Sequence, residues 1–473
     1  MRNFLNIIWV VICGGQMIGQ SSIQDKVTKL LQDQQVHPSV FSIHAYNTST
    51  GKECLNYRGN ELMIPASSMK VITTFTAIDL LGKNFKYETS VGYTGTVGRD
   101  GTLNGDLVIE GSGDPSLGSF REGFGPDYNI IISKIGRSVK SAGIKCIDGR
   151  IIVDDSRFER GGTHPGWSWN DVGNYYGAGV HGVNINENEY LVHFDRNVDL
   201  GSLVRIEELE PDVPGLKIDC RVTLAEAGTG DNAYIYGGEG FFQKIIKGTI
   251  PAGKGRFTIR GSLPDPPLLM AQLIAQELDN QGITSSGISI SQNDKPLNKI
   301  LSFKSKSFKE LVKIANSRSI NLYCEAFLRS ISDAGSSNKA LDRIIQHIDS
   351  IGLDTLSIIQ KDGSGLSGRN VISSQLFTQF LSHYYHQWKG NALELLPRAS
   401  YEGTVSGLLK SKRSRGKAWL KSGYIGGVLS YTGYVKNQKG EIISISIMAN
   451  NFQKRVPEIR EMCEKIIEEV YLY

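Results

Sequence analysis

The sequence predicts an α+β domain that is interrupted by a β-rich insert of one or two domains. Strand-like alternation near residue 40 leads into a long apolar helix, and from about residue 90 to 295 the chain changes to short strands broken by Gly and Asp turns. Helical periodicity then returns and ends in two strands and a last helix. With 473 residues, 40% of them hydrophobic and 21% charged, the chain is long enough for several domains with a sizeable core.

The first 19 residues predict a secretory signal peptide. One cation, Arg2, precedes the apolar run from Phe4 to Cys13, and small residues follow up to Gly19. Ile12 stands before Cys13, where a lipoprotein anchor requires a small residue, so the sequence disfavours lipid attachment at Cys13. No later segment approaches ~18 unbroken apolar residues. We therefore expect an exported, periplasmic protein that is soluble or peripheral to the membrane.

The first half of the α+β domain begins with a hairpin. Val40–Tyr46 alternates as a half-buried strand, and the segment Cys54–Tyr57 returns after a turn. After Pro65, apolar residues recur at helical spacing from Ser67 to Leu81, and Gly82 ends the pattern. Because most of this helix lacks charge, we expect it to be buried.

The remaining elements divide the chain into an insert and a second half of the first domain. Short strands are expected at Gly105–Glu110 and Gly149–Asp154. The later helices and strands are expected at Lys309–Asn316, Leu322–Ile331, Leu341–Ile351, Ser374–Tyr385, Leu429–Val435, Glu441–Met448 and about Pro457–Tyr471. We predict a discontinuous first domain over 20–92 and 295–473, a second over 93–185 and 263–294, and a third over 186–262.

Charge and metal-ligating residues exclude two classes of function. Lys and Arg number 52 against 48 Asp and Glu, without long blocks of one sign, which argues against a nucleic-acid binder. The six cysteines include no closely spaced pair, and His383 and His386 have no carboxylate partner at ligand spacing. The sequence therefore predicts neither a metal site nor an organic cofactor.

Ser67 and Lys70 lie three residues apart at the start of the apolar helix, on the same face. A serine needs a neighbouring base to act as a nucleophile, and burial or a second cation can make a lysine amine available at neutral pH. The helix N-terminus also offers backbone N–H groups that can hold an oxyanion. The same S-x-x-K spacing starts at Ser49, Ser336 and Ser414, but only Ser67 follows a proline and opens a long apolar helix.

Two further triplets extend this pattern. Ser319 and Asn321 fall between two helical segments, where a simple helix cap is the alternative interpretation. Lys421-Ser422-Gly423 is the one K-[ST]-G triplet of the chain. Its glycine lets a ligand approach a strand edge, and Lys421 offers a second cation that would lower the pKa of Lys70.

Taken in this order, S-x-x-K, S-x-N and K-[ST]-G resemble the active-site motifs of penicillin-recognising serine enzymes. Ser67 and Ser319 are 252 positions apart, which leaves room for an insert that a compact serine β-lactamase lacks. The chain resembles the D-alanyl-D-alanine carboxypeptidase and endopeptidase family, the class C low-molecular-mass penicillin-binding proteins of penicillin-binding protein 4 type. The supporting segments are Gly111–Leu117, Val153–Ser156, Pro165–Asp171, Asp362–Ser367 and Tyr401–Thr404.

The resemblance implies a β-lactamase/transpeptidase-like fold, with flanking helices on an antiparallel sheet, and a periplasmic serine D,D-peptidase that acts on the stem peptides of peptidoglycan and is inhibited by β-lactams. By motif, Ser67 is the acylated nucleophile, Lys70 its base and Ser319 the proton relay. Asn321 is implied to bind the substrate amide, and Lys421 to act electrostatically. The backbone N–H groups of Ser67 and Tyr424 would form the oxyanion hole.

Substrate-binding residues are implied less directly. Asp171 and Tyr176 correspond to pocket residues for a side-chain amine of the stem, although Asp171 could cap a turn and Tyr176 could pack in a core. The lysine triplet has Ser422 where Thr is common, and Tyr424 follows Gly423 where relatives have a small hydroxyl residue. Gly368 precedes Arg369 where relatives often place the Arg, which leaves the balance between carboxypeptidase and endopeptidase activity open.

Two other functions remain compatible with the same residues. A serine β-lactamase or esterase would use the same nucleophile but deacylate quickly. A non-catalytic cell-wall binding protein would keep the fold without the chemistry.

Overall fold

The computed structural model describes residues 22–34, 39–121, 123–333 and 335–473. The predicted signal peptide and Cys13 lie outside these residues. The described part of the chain contains nine α-helices: α1 Ile23–Asp33, α2 Lys70–Leu81, α3 Tyr128–Ser141, α4 Pro266–Asn280, α5 Phe308–Arg318, α6 Asn321–Ser330, α7 Ser337–Ser350, α8 Ser374–Gln387 and α9 Val456–Leu472. Within the same residues, no helix is long and apolar enough to span a bilayer.

The strands of the described residues form six small sheets. In chain order they are β1 Val40–Asn47, β2 Lys52–Tyr57, β3 Leu62–Met63, β4 Glu88–Tyr93, β5 Thr96–Val97, β6 Thr102–Asn104, β7 Leu107–Glu110, β8 Cys146–Ile147, β9 Ile151–Asp154, β10 Glu189–Asp195, β11 Arg205–Glu210, β12 Lys217–Ala225, β13 Tyr234–Tyr236, β14 Gln243–Pro251, β15 Phe257–Ser262, β16 Thr284–Ser285, β17 Ile288–Ile290, β18 Asn298–Lys304, β19 Ile358–Ile359, β20 Val371–Ser373, β21 Ala418–Ile425, β22 Val428–Lys436 and β23 Ile442–Asn450.

The two ends of the chain share one sheet. Five antiparallel strands follow the order β2-β1-β23-β22-β21, so the N-terminal hairpin pairs with the last strand. Side chains alternate between the faces of a strand. Met448 therefore joins the core that contains α2, α6 and α8, whereas Ile445 and Ile447 pack with α1 and α9 on the other face. This confirms the predicted antiparallel sheet with flanking helices.

Helix α2 lies in the centre of the first core. Nine consecutive residues, from Lys70 to Ile78, are buried, as its uncharged surface predicts. The helix begins later than expected, because Ala66–Met69 forms a 3-10 helix that leads into it. The hairpin, the turn before β23 and the C-terminal helix confirm the sequence-based expectations.

The insert contains four sheets and two helices, α3 and α4. Its largest sheet has the order β17-β9-β7-β4-β18, so β4 and β18 pair where the chain enters and leaves the insert. Strands β10 to β15 form two three-stranded sheets of their own. The domain boundaries proposed above stay a prediction, and the pairing of β4 with β7 crosses the one placed between residues 92 and 93.

Candidate active site

Ser67 stands in the 3-10 helix that precedes α2. The preceding residue, Ala66, has a φ of 46°, in the left-handed region that residues with a side chain rarely adopt. Strained backbone of this kind persists only where the surrounding structure enforces it. Here β21 and β22 pack against the 3-10 helix. The turn places the Ser67 side chain in a cleft of about 790 Å³.

Lys70 occupies the first turn of α2 and is completely buried. Its Nζ donates to Ser67 Oγ at 2.9 Å, to Asn321 Oδ1 at 2.6 Å and to the Ser364 carbonyl at 2.6 Å. Burial lowers the pKa of Lys70 below its usual value, because a charged amine loses its hydration there. The fold thus places a buried amine in direct contact with the Ser67 hydroxyl.

Two buried carboxylates hold the loop that contacts Lys70. Glu325 of α6 accepts from the backbone N–H groups of Gly363 and Ser364, at 3.1 and 2.8 Å. Burial raises the pKa of Glu325 to about 7. Asp362 accepts from the backbone of Gly365 and from the Trp167 indole at 2.7 and 2.8 Å. These contacts fix the Ser364 carbonyl against the Lys70 amine.

The S-x-N triplet joins the ends of α5 and α6. Ser319 caps α5 in the left-handed conformation, with a φ of 58°, and Asn321 begins α6. Lys421 donates to Ser319 Oγ at 2.9 Å, while Asn321 Nδ2 donates to the Tyr176 carbonyl at 2.7 Å. Burial, together with the charge of Lys70, lowers the pKa of Lys421 well below its usual value. The structure therefore brings all three motifs to one place.

Strand β21 packs closely against the turn that holds Ser67. A Cβ atom at Gly423 would lie 2.8 Å from the Ser67 backbone nitrogen and 2.6 Å from the Pro65 carbonyl. A glycine is therefore required for this approach. Ser422 donates to Thr404 Oγ1 at 2.7 Å, and the side chain of Tyr424 is exposed on the cleft wall.

The predicted substrate-binding residues divide between two cavities. Asp171 and Tyr176 line the same cleft as Ser67, and Asp171 also lines a neighbouring cavity of about 450 Å³ together with Arg369. Burial raises the pKa of the Asp171 carboxyl. Arg369 is thus near the cleft but does not line the part that holds Ser67.

Sequence reasoning missed a group of charged residues from the insert. Arg121, Glu189 and Arg260 line the same cleft as Ser67. Arg260 donates to Glu189 at 2.8 Å, and its guanidinium lies 3.6 Å from the centre of the Tyr175 ring. Burial raises the pKa of Glu189 to about 8. No spacing pattern in the sequence marks these residues, since three separate segments of the insert supply them.

The arrangement supports acyl transfer through a serine. It combines a hydroxyl at the start of a helix, an amine whose pKa is lowered by burial, a second hydroxyl contacted by a second amine, and a strand edge beside them. Of the four S-x-x-K serines, Ser67 is the one whose hydroxyl contacts a lysine amine among the described residues. Groups of His, Cys, Asp and Glu that could hold a metal ion are absent from that same part of the chain.

Comparison with known proteins gives consistent results. Residues 23–469 match the D-Ala-D-Ala carboxypeptidase 3 (S13) family. A D-alanyl-D-alanine carboxypeptidase of Actinomadura sp. is 24% identical over 458 residues, which cover 92% of this chain and 82% of the relative. The D-alanyl-D-alanine carboxypeptidase DacB of Haemophilus influenzae is 24% identical over 461 residues, which cover 91% of this chain and 90% of that relative.

Solved structures show the same fold. Penicillin-binding protein 4 (dacB) of Haemophilus influenzae superimposes with a TM-score of 0.82 at 23% identity, over 94% of this chain and 99% of that chain. A predatory endopeptidase of Bdellovibrio bacteriovorus, solved in complex with an immunity protein, gives a TM-score of 0.51 at 14% identity, over 91% of this chain and 93% of that chain.

Proposed function

This chain belongs to the D-Ala-D-Ala carboxypeptidase 3 (S13) family, and from that premise we propose that Ser67 carries the acyl group in its reaction. The enzyme is a serine D,D-peptidase of peptidoglycan. The single observation that supports Ser67 as nucleophile is its contact of 2.9 Å with the buried amine of Lys70. The same contact is what a general base requires.

Each group of the site has a role in this proposal. Ser67 Oγ attacks the carbonyl carbon of the penultimate D-Ala as its proton passes to Lys70, and the backbone N–H groups of Ser67 and Tyr424 hold the oxyanion. The C–N bond then breaks, and the proton that Lys70 took up returns through Ser319, which is in contact with Lys421: the Ser319 hydroxyl gives its proton to the leaving amine and takes up that one. Water hydrolyses the ester and restores the Ser67 hydroxyl. Asn321, held between Lys70 and the Tyr176 carbonyl, orients the substrate amide.

The leaving amine decides between two activities. Free D-Ala leaves in a carboxypeptidase reaction, and a cross-linked D-amino acid leaves in an endopeptidase reaction. We propose that Asp171 and Tyr176 contact an ammonium group of the stem, since a carboxylate opposite an ammonium is electrostatically favourable. Arg369, which lies in the adjoining cavity, is proposed to contact a carboxylate of the substrate from there. An exported, periplasmic location would give the enzyme access to these stems.

A β-lactam should acylate Ser67, because its strained amide mimics the scissile bond. A solved relative from Haemophilus influenzae is complexed with a β-lactam. The test is labelling with a fluorescent penicillin: Ser67→Ala should lose the label, while Ser336→Ala, a serine in the same S-x-x-K spacing outside the cleft, should keep it. Labelling that survives in Ser67→Ala would remove Ser67 from the nucleophile role.

Incubation with purified muropeptides, followed by mass analysis, separates the remaining alternatives. Loss of one D-Ala indicates carboxypeptidase activity, and monomers formed from dimers indicate endopeptidase activity. A penicillin adduct that decays within seconds would indicate a β-lactamase instead.

A further inference from the structure

A second groove, beside the catalytic cleft, has two exposed aromatic side chains on its walls. Trp169 and Phe241 are 56% and 52% exposed, and their ring centres lie 5.8 Å apart in an edge-to-face arrangement. They line a groove of about 550 Å³ with Pro165 and Trp167. Large exposed aromatic groups that cluster in this way mark interaction sites more often than chance surface positions.

This aromatic groove connects to the cleft that holds Ser67. A cavity of about 450 Å³ lies between them and shares Pro165 and Trp167 with the groove. The same cavity shares Asp171 and Leu366 with the catalytic cleft. A polymer bound in the cleft can therefore continue along the surface into the aromatic groove.

The wall of the groove is fastened to the catalytic residues. Trp167 is buried, and its indole N–H donates to Asp362 at 2.8 Å. Asp362 belongs to the loop whose Ser364 carbonyl accepts from Lys70. The groove thus has a fixed position relative to the nucleophile, which a site for a distant part of the same substrate requires.

The backbone around the groove distinguishes between an extended peptide and a chain of sugar rings as the occupant. An extended peptide binds most readily by adding a strand to a sheet edge. In the cleft, β21 is an edge strand of its sheet and offers such hydrogen bonds. The segments that form the groove, 163–172 and 238–241, contain no strand. Exposed aromatic faces without a strand edge suit the flat C–H faces of sugar rings better than a peptide backbone.

We propose that the groove formed by Trp169 and Phe241 binds the amino-sugar strand of peptidoglycan while the attached stem peptide occupies the catalytic cleft. This inference rests on the proposed function, since the stem must reach Ser67 for the sugar strand to lie in the groove. The groove would select polymeric substrate over free peptides.

The test compares three substrates with and without the aromatic side chains. Trp169→Ala and Phe241→Ala, separately and combined, are assayed with a sugar-free stem peptide, a sugar-free cross-linked peptide dimer and stems attached to soluble glycan oligomers. Leu203→Ala, which removes a 60% exposed apolar side chain elsewhere in the insert, is the matched control. Thermal denaturation verifies that each variant is folded.

We expect the double variant to lose about tenfold in kcat/KM on glycan-linked stems, a difference of about 1.4 kcal/mol, with the sugar-free substrates unchanged. Phe241→Ala alone should show part of this loss. Because Phe241 lies on a different segment from Asp171, a loss in this variant cannot be attributed to a change in the segment that carries Asp171. The glycan assignment would be overturned if the double variant and the unaltered enzyme had equal kcat/KM values on glycan-linked stems. It would also be overturned if the double variant lost as much kcat/KM on the sugar-free peptide dimer as on glycan-linked stems. Failure of the unaltered enzyme to cleave any sugar-free stem would instead count against the proposed function.

Discussion

Two buried lysines, one in the first domain and one in the insert, differ in what surrounds their amines. Lys70 and Lys244 are both buried, and burial lowers the pKa of each, that of Lys244 to about 7. Lys244 donates to the Ser262 carbonyl, and its Nζ lies 5.3 Å from the centre of the Tyr190 ring. Lys70 instead contacts a serine hydroxyl that lines an open cleft.

The comparison teaches that a pKa lowered by burial does not by itself identify an amine as a candidate base. Burial lowers the pKa of both amines, since desolvation disfavours the charged form of each. Both amines contact a serine hydroxyl, Lys244 that of Ser262 at 3.4 Å and Lys70 that of Ser67 at 2.9 Å, but Ser262 is buried, whereas Ser67 lines a cleft where substrate can lie. Lys244 is therefore interpreted as a structural residue of the insert.

The largest expected effect separates these two lysines directly. Lys70→Met removes the proposed base, so the rate of acylation by fluorescent penicillin should fall about a thousandfold. Lys244→Met should leave this rate unchanged, because its amine contacts only groups inside the insert. A Lys70→Met variant that keeps a tenth of the acylation rate would show that another group is the base.

Gly423 tests how closely the strand must approach Ser67. A Cβ atom there would lie 2.8 Å from the Ser67 backbone nitrogen, so Gly423→Ala must displace β21 or the turn that holds Ser67. Such misplacement should lower kcat/KM on a stem peptide about a hundredfold. Gly407→Ala, where a Cβ meets no atom within 4 Å, is the control. Equal activity in the two variants would refute this requirement for glycine.

Asn321→Asp changes the charge beside Lys70 with little change in shape. A carboxylate at the position of Oδ1, 2.6 Å from Nζ, favours the charged amine and raises the pKa of Lys70. Because the proposed base is the free amine of Lys70, the acidic limb of the pH profile of acylation should move up by about 1 pH unit or more. If the acidic limb stays at the same pH in Asn321→Asp while the rate changes equally at every pH, the group that titrates in that limb is not Lys70.

The smallest effect concerns stability and sharpens the structural interpretation of Lys244. Its pKa is about 7 in the folded protein and near the usual 10.5 when unfolded, so the unfolded state binds more protons between these values. The free energy of unfolding should therefore rise with pH in this window, by at most about 1.4 kcal/mol per unit from this group. In Lys244→Met this contribution disappears. The free energy of unfolding, measured by urea denaturation at several pH values, should therefore rise less steeply with pH in the variant than in the unaltered protein. Equal slopes would contradict it.

The sequence alone determined the local parts of this enzyme. The pairing of Ser67 with Lys70 follows from helical spacing, and burial of α2 follows from its uncharged surface. Strands β1, β2, β22 and β23 follow from alternation and turns. The order of the three motifs suggested that Ser319 and Lys421 belong to the same site. Local propensity and spacing act within a few residues, so a single sequence is enough to recognise them.

Only the tertiary structure decided what surrounds these groups. The Ser364 carbonyl on Lys70, Glu325 beneath it, and the Trp167 indole on Asp362 all join segments that are far apart in the chain. No residue type or spacing marks a backbone carbonyl as a partner. Burial, which lowers the pKa of Lys70, depends on every element packed around it. For this reason the chemistry of the amine is a property of the whole fold, although its position beside Ser67 is a property of one helical turn.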